Sequence, residues 1–127
     1  MADENLPSNV KALINEHIDS LVQLEVLLLL HRTAPREWGS ADVVSELRID
    51  KTFAANELQT LAERGLLAAK QGPVYYYGPR SPELDAAVAG LAVAYAQFRV
   101  TVINAIFAKP SEKIRTFADA FRLRKDT

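Results

Sequence analysis

The sequence predicts a mainly α-helical chain that carries one small β-hairpin and is extended by long C-terminal helices. Three observations carry that prediction. Apolar runs at helical spacing each begin at a capping residue, at Ser20, Ser40, Asp50 and Ser81. Two short extended runs flank Gln71, Gly72 and Pro73, a turn signal between strands. Beyond Pro82 a nearly unbroken apolar stretch repeats at close to heptad spacing. The 127 residues, 49% of them hydrophobic and none of them Cys, suit one domain with its own core and no disulfide framework.

Residues 1–9 are polar and acidic and read as a flexible arm without the pattern of a secretory signal. Val10, Leu13, Ile14 and Ile18 share one face of a first helix. Ser20 and Gln23 form a capping box, in which the hydroxyl accepts from an orphan amide and the Gln reaches back. It opens a second helix whose residues Leu24 and Val26 to Leu30 are apolar on several sides, as suits the centre of a domain. That helix stops before Pro35, and Glu37 to Gly39 make a short extended link. Ser40 caps a third helix, Ala41 to Leu47, and Arg48 and Ile49 make a turn. Asp50 caps a fourth helix reaching Arg64, with Phe53 or Ala54, then Leu58, Leu61 and Ala62, facing the core. Gly65 stands where a left-handed cap is wanted. Leu66 to Lys70 and Val74 to Tyr77 are the two strands. Ser81, Pro82 and Glu83 start a single long helix to about Ala108, and Pro110 to Glu112 start a last one, Lys113 to about Leu123.

Charge narrows the function classes. A net charge of −1 argues against indiscriminate nucleic-acid binding. The charge is uneven, acidic over residues 1–30 and basic over residues 109–127. Ala86 to Ala108 resembles a membrane span by hydropathy, but Arg99 near its middle makes a buried helix the expectation. Catalysis has little to build on: no Gly-rich phosphate loop, no arguable Ser-His-Asp set and no paired carboxylates in a cleft. His17 and His31 lack ligand spacing and there is no Cys, so neither metal nor cofactor is expected.

The order from Ser20 to Tyr77 is helix, link, short helix, tight turn, longer helix, hairpin. With the apolar helix Leu21 to Leu30, the helix Ser40 to Leu47 and the run Leu58 to Leu67, whose Arg64, Gly65 and Leu66 lead into the hairpin, it resembles the winged helix-turn-helix domain of MarR-like and ArsR-like bacterial regulators. The match covers about half of the chain. It implies a flexible arm at 1–9, a winged helix-turn-helix domain at 10–80 and a C-terminal helical dimerisation region at 81–127. It also implies a cytoplasmic transcriptional regulator, not an enzyme, that binds double-stranded DNA as a homodimer with helix 50–64 in the major groove.

The buried face of that helix leaves Lys51, Thr52, Asn56 and Gln59 outward as base readers: Asn and Gln suit an adenine edge, and Lys suits guanine or phosphate. Arg48, Arg64 and Lys70 are the expected phosphate contacts, with Arg80 in reserve. Four such contacts give a slope of about −3 to −4 in log affinity against log salt. Asp50, Glu57 and Glu63 on the same helix oppose a phosphate backbone. Leu84, Val88, Leu91, Tyr95, Phe98, Val102 and Ile106 form a nearly heptad seam and are the expected dimer interface, on a helix about 40 Å long. The alternative is that this helix folds back on Val10 to Ile18. Trp38, Tyr95 and Phe98 are candidates to line a small-molecule pocket. The final segment, with Ile114, Phe117, Ala118 and Phe121 on one face and Arg115, Arg122 and Arg124 on the other, is expected to complete the dimer or core, or to dock an acidic protein partner. The rival reading is a winged-helix adaptor that binds protein and not DNA.

Overall fold

A computed structural model describes residues 6–71 and 73–108. Its helices are α1 (Ser8–His17), α2 (Leu21–Arg32), α3 (Ser40–Leu47), α4 (Lys51–Glu63), α5 (Pro82–Gln97) and α6 (Arg99–Ala108). Strands β1 (Leu67–Lys70) and β2 (Val74–Tyr77) lie between α4 and α5. The sequence α2, α3, α4, hairpin is a winged helix-turn-helix, as the residues predicted. The last predicted helix, Lys113 to Leu123, lies outside the described residues.

The core is organised around α2. Leu24, Val26, Leu27, Leu29 and Leu30 are almost fully shielded from solvent, because α3, α4, α5 and β2 all touch this helix. Its start is locally encoded. Ser20 accepts from the Gln23 amide at 3.1 Å. The Gln23 side chain reaches one residue past the expected amide and accepts from Asp19 N at 2.8 Å.

The third helix is capped differently from expectation. Gly39, not Ser40, is the N-cap. Asp42 accepts from the Gly39 amide at 2.9 Å, and the exchange moves the helix start back by one residue. At its other end Arg48 takes φ 58° and ψ 47°, a left-handed conformation, to turn the chain into α4. An L side chain pays about 1–2 kcal/mol for that conformation. Arg48→Gly is therefore expected to raise stability by about 0.5–1 kcal/mol, once the flexibility glycine adds to the unfolded chain is deducted. Thermal denaturation reads this directly, and an unchanged or lower midpoint contradicts it.

Asp50 caps α4 as expected, accepting from Thr52 N at 3.0 Å and Phe53 N at 3.3 Å. Ala54 takes the core position and leaves Phe53 exposed. At the C-terminus Gly65 adopts φ 81°. Its amide bonds to Ala62 O at 3.1 Å, and Leu66 N bonds to Leu61 O at 3.0 Å. That pair of bonds is a Schellman cap, and it aims the chain into β1.

The hairpin pairs Leu67 with Tyr77 and Lys70 with Val74. The link before α3 joins it as a third short edge: Trp38 and Tyr75 exchange backbone bonds of 2.7 and 2.8 Å. Trp38 is buried, and its indole N–H donates to Thr33 Oγ1 at 2.9 Å. Tyr75 and Tyr77, two apart on β2, both pack against the core. Tyr77 donates to Asp85 at 2.7 Å, and its ring packs in a T shape with that of His31, centroids 4.9 Å apart. Burial, then the hydrogen bond to Asp85 and its charge, push the phenol pKa far up, so this contact stays protonated.

The single helix expected over 82–108 is two helices. The chain breaks at Phe98, and α5 and α6 are bent by 116°. Both then pack on α1, which is the fold-back alternative. Gly90 permits the close approach, since a Cβ there would lie 2.9 Å from Val10 Cγ2. Among the described residues no single helix is long and apolar enough to cross a membrane.

Candidate nucleic-acid interface

The outer face of α4 is the best-defined candidate. Ala54, Leu58 and Leu61 anchor the helix in the core, so the helical period sends Thr52, Asn56, Gln59 and Glu63 to the opposite side. These four and Lys51 at the first position are all exposed. All three acids that the sequence sets against a phosphate backbone, Asp50, Glu57 and Glu63, accept hydrogen bonds within the chain. Asp50 is used in the cap. Glu57 turns inward and accepts from Gln23 Nε2 at 2.8 Å. Glu63 accepts from Gln59 Nε2 at 3.2 Å, which partly commits one predicted base reader. Thr52, Asn56 and Lys51 carry no side-chain hydrogen bond or ion pair among the described residues.

The predicted phosphate contacts divide. Arg48, at the α3–α4 turn, is exposed and lies beside the start of α4. Arg64 is not an outward cation. Its guanidinium donates to His17 O at 2.5 Å, to Gln23 Oε1 at 3.2 Å and to Asp19 Oδ2 at 2.7 Å. It therefore fastens the end of α4 to the α1–α2 junction and leaves the list of phosphate contacts. Arg80 lies over Gly65 and donates to Glu63 O at 3.2 Å. Lys70, on the wing, is paired with Glu37. The hydrogen bond to that carboxylate, then its charge, raise the ammonium pKa above its ordinary value.

One basic residue near the wing escaped sequence reasoning. Arg36 is exposed, and its guanidinium sits 3.9 Å from the centre of the Trp38 ring. Because Trp38 pairs with Tyr75, the link carries Arg36 to the hairpin. The only sequence signal was the nearness of Arg36 to Trp38, which an isolated link gives no reason to value. A guanidinium stacked on an aromatic face is held in place before any partner arrives.

The expected dimer seam lies mostly inside the chain. Val88, Leu91, Tyr95, Val102 and Ile106 are buried, Leu84 is half-buried, and Phe98 at the bend is exposed. Tyr95 Oη has no hydrogen-bond partner among the described residues. Its burial, and the negative charge of Glu25, raise its pKa. The predicted pocket residues Trp38, Tyr95 and Phe98 do not line the cleft between α1 and the start of α5. That cleft, of about 170 Å³, is lined by Leu13, His17, Leu84 and Ala87 among others. Among the described residues no three His, Asp or Glu side chains cluster as a metal site.

No protein-family model and no curated protein sequence matches the chain. Among solved structures it is similar to Bordetella bronchiseptica BpsR, described with a mechanism for regulation of its DNA binding by 6-hydroxynicotinic acid. The two share 21% identity over 93% of this chain and 84% of that one, with a TM-score of 0.49.

Proposed function

We propose that the chain is a cytoplasmic, sequence-specific double-stranded-DNA-binding transcriptional regulator that acts as a homodimer. The observation that carries this reading is the outer face of α4. A helix held by Ala54, Leu58 and Leu61 offers Lys51, Thr52 and Asn56 from its first two turns, the part of a recognition helix that meets base edges. Asn56 pairs with an adenine edge, Lys51 with guanine or phosphate, and Gln59 joins once it leaves Glu63. Arg48 holds the backbone on one side of the helix. Lys70 and Arg36 hold it from the wing side.

Lys70 reaches phosphate only by leaving Glu37, an exposed pair that contributes little stability. Glu37→Gln is therefore expected to tighten DNA binding by about two- to fivefold and to leave the thermal midpoint nearly unchanged. Weaker or unchanged binding removes Lys70 from the interface.

The whole reading is tested by selecting duplexes from a random-sequence library with the purified chain at low salt. Enrichment of a palindrome with half-sites about one helical turn apart supports a dimeric reader. Failure to enrich any sequence contradicts it and leaves the protein-binding adaptor.

A further inference from the structure

Phe53 stands in the first turn of α4, among the residues proposed to read bases. Its side chain is 47% exposed, while Ala54, the next residue, fills the core. Its amide donates to the Asp50 cap, a bond that the backbone of almost any residue could make. It is the third helical residue after that cap, where a Glu or Gln would answer the cap's own amide and a Phe cannot. Its helix propensity is lower than that of Ala or Glu. Core packing, capping and helix propensity therefore leave a Phe at this position without a reason.

A lone apolar residue on a surface has no meaning by itself. The placement of Phe53 gives it one. The other large hydrophobic side chains exposed among the described residues are Val93, Phe98, Val100 and Phe107, all on α5, α6 or their junction. Phe53 alone lies in the winged domain. It precedes Asn56 by three residues, about 60° round the helix, so the two are surface neighbours with Cβ atoms roughly 5–6 Å apart. Glu57, its neighbour at the spacing of four, is committed to Gln23 Nε2 at 2.8 Å. Thr52, Asn56 and Phe53 thus follow one another round the exposed side of the helix start, a hydroxyl, an amide and an apolar ring.

The major-groove edges of the four bases carry donors, acceptors and one apolar group, the C5 methyl of thymine. We infer that Phe53 reads that methyl, packing its ring on a thymine within two base pairs of the adenine that Asn56 meets. The separation of the two Cβ atoms matches one to two base-pair steps of about 3.4 Å. Water leaves both apolar surfaces, and covering a methyl in this way strengthens binding about fourfold. The contact adds a thymine to the recognised sequence, which Lys51, Thr52 and Asn56 do not specify. The inference deepens the DNA-binding reading and rests on it.

The test uses the duplex selected from the random-sequence library. Each thymine is replaced in turn by deoxyuridine, which loses the methyl and keeps every hydrogen-bonding group. The adenine is located as the one whose replacement no longer matters to Asn56→Ala. Anisotropy then gives the affinities of the unaltered chain, Phe53→Leu and Phe53→Ala for each duplex. One thymine within two base pairs of that adenine is expected to be sensitive. Deoxyuridine there should weaken the unaltered chain about fourfold per half-site, the still apolar Phe53→Leu about twofold, and Phe53→Ala hardly at all. The thermal midpoint of Phe53→Ala should stay nearly unchanged, because the ring is exposed. Four results would overturn the inference and leave the regulator reading standing: specific binding indifferent to every thymine methyl, a methyl effect that Phe53→Ala leaves intact, a sensitive thymine farther than two base pairs from that adenine, or a large fall in the midpoint. Failure to select any duplex overturns the regulator reading, and the inference with it.

Discussion

Replacing Trp38 with alanine is expected to lower the thermal midpoint by on the order of 10–20 °C. The substitution removes a fully buried indole, a loss of about 3–5 kcal/mol in a core that cannot collapse to fill the space. It also deletes the indole hydrogen bond to Thr33 and the aromatic face beneath Arg36. Trp38 holds the link against Tyr75, so the wing loses its third edge along with its packing. Trp38→Phe keeps most of the apolar contact and forfeits the hydrogen bond, which costs about 1 kcal/mol more than the packing difference. Thermal denaturation by circular dichroism measures both variants. A midpoint shift of only a few degrees for the alanine variant contradicts this account of how the wing is attached.

The second large effect falls on binding and not on folding. Lys51→Ala combined with Asn56→Ala is expected to weaken specific DNA binding roughly a hundredfold, as two base contacts of about 1–3 kcal/mol each are lost. Both residues are exposed on α4 and make no side-chain hydrogen bond or ion pair among the described residues, so the midpoint should move little. Binding to unrelated duplexes should fall far less, because only Lys51 contributes charge. An unchanged affinity for the selected sequence removes these residues as readers, and a large loss of midpoint makes them structural.

Interactions between residues close in the chain were legible in the sequence, and those between distant residues were not. Ser20, Asp50 and Gly65 were legible because a cap is written within a few residues of the helix end. The choice between Phe53 and Ala54 was open, since neighbouring positions on a helix edge differ only by which partner arrives. Ser40 lost the cap by one residue to Gly39 because Asp42 could answer the Gly39 amide. Arg64 misled because its partners, His17, Asp19 and Gln23, are more than forty residues away in sequence. Nothing local marks such a guanidinium as internal. The same holds for the Lys70–Glu37 pair and for Arg36, both placed by the pairing of Trp38 with Tyr75. The break at Phe98 was missed because the apolar spacing runs on through it, although the four β-branched residues Val100 to Ile103 weaken a helix there.

The central claim is that α4 reads DNA sequence from a dimer. Fluorescence anisotropy with a selected duplex and a scrambled duplex of equal length and composition, over a series of salt concentrations, tests it most directly. Three phosphate contacts per protomer, from Arg48, Arg36 and Lys70, give an expected slope near −5 in log affinity against log salt for the dimer. The selected duplex should bind on the order of a thousandfold more tightly than the scrambled one. Equal affinity for the two duplexes, or no binding to either at low salt, would contradict the claim.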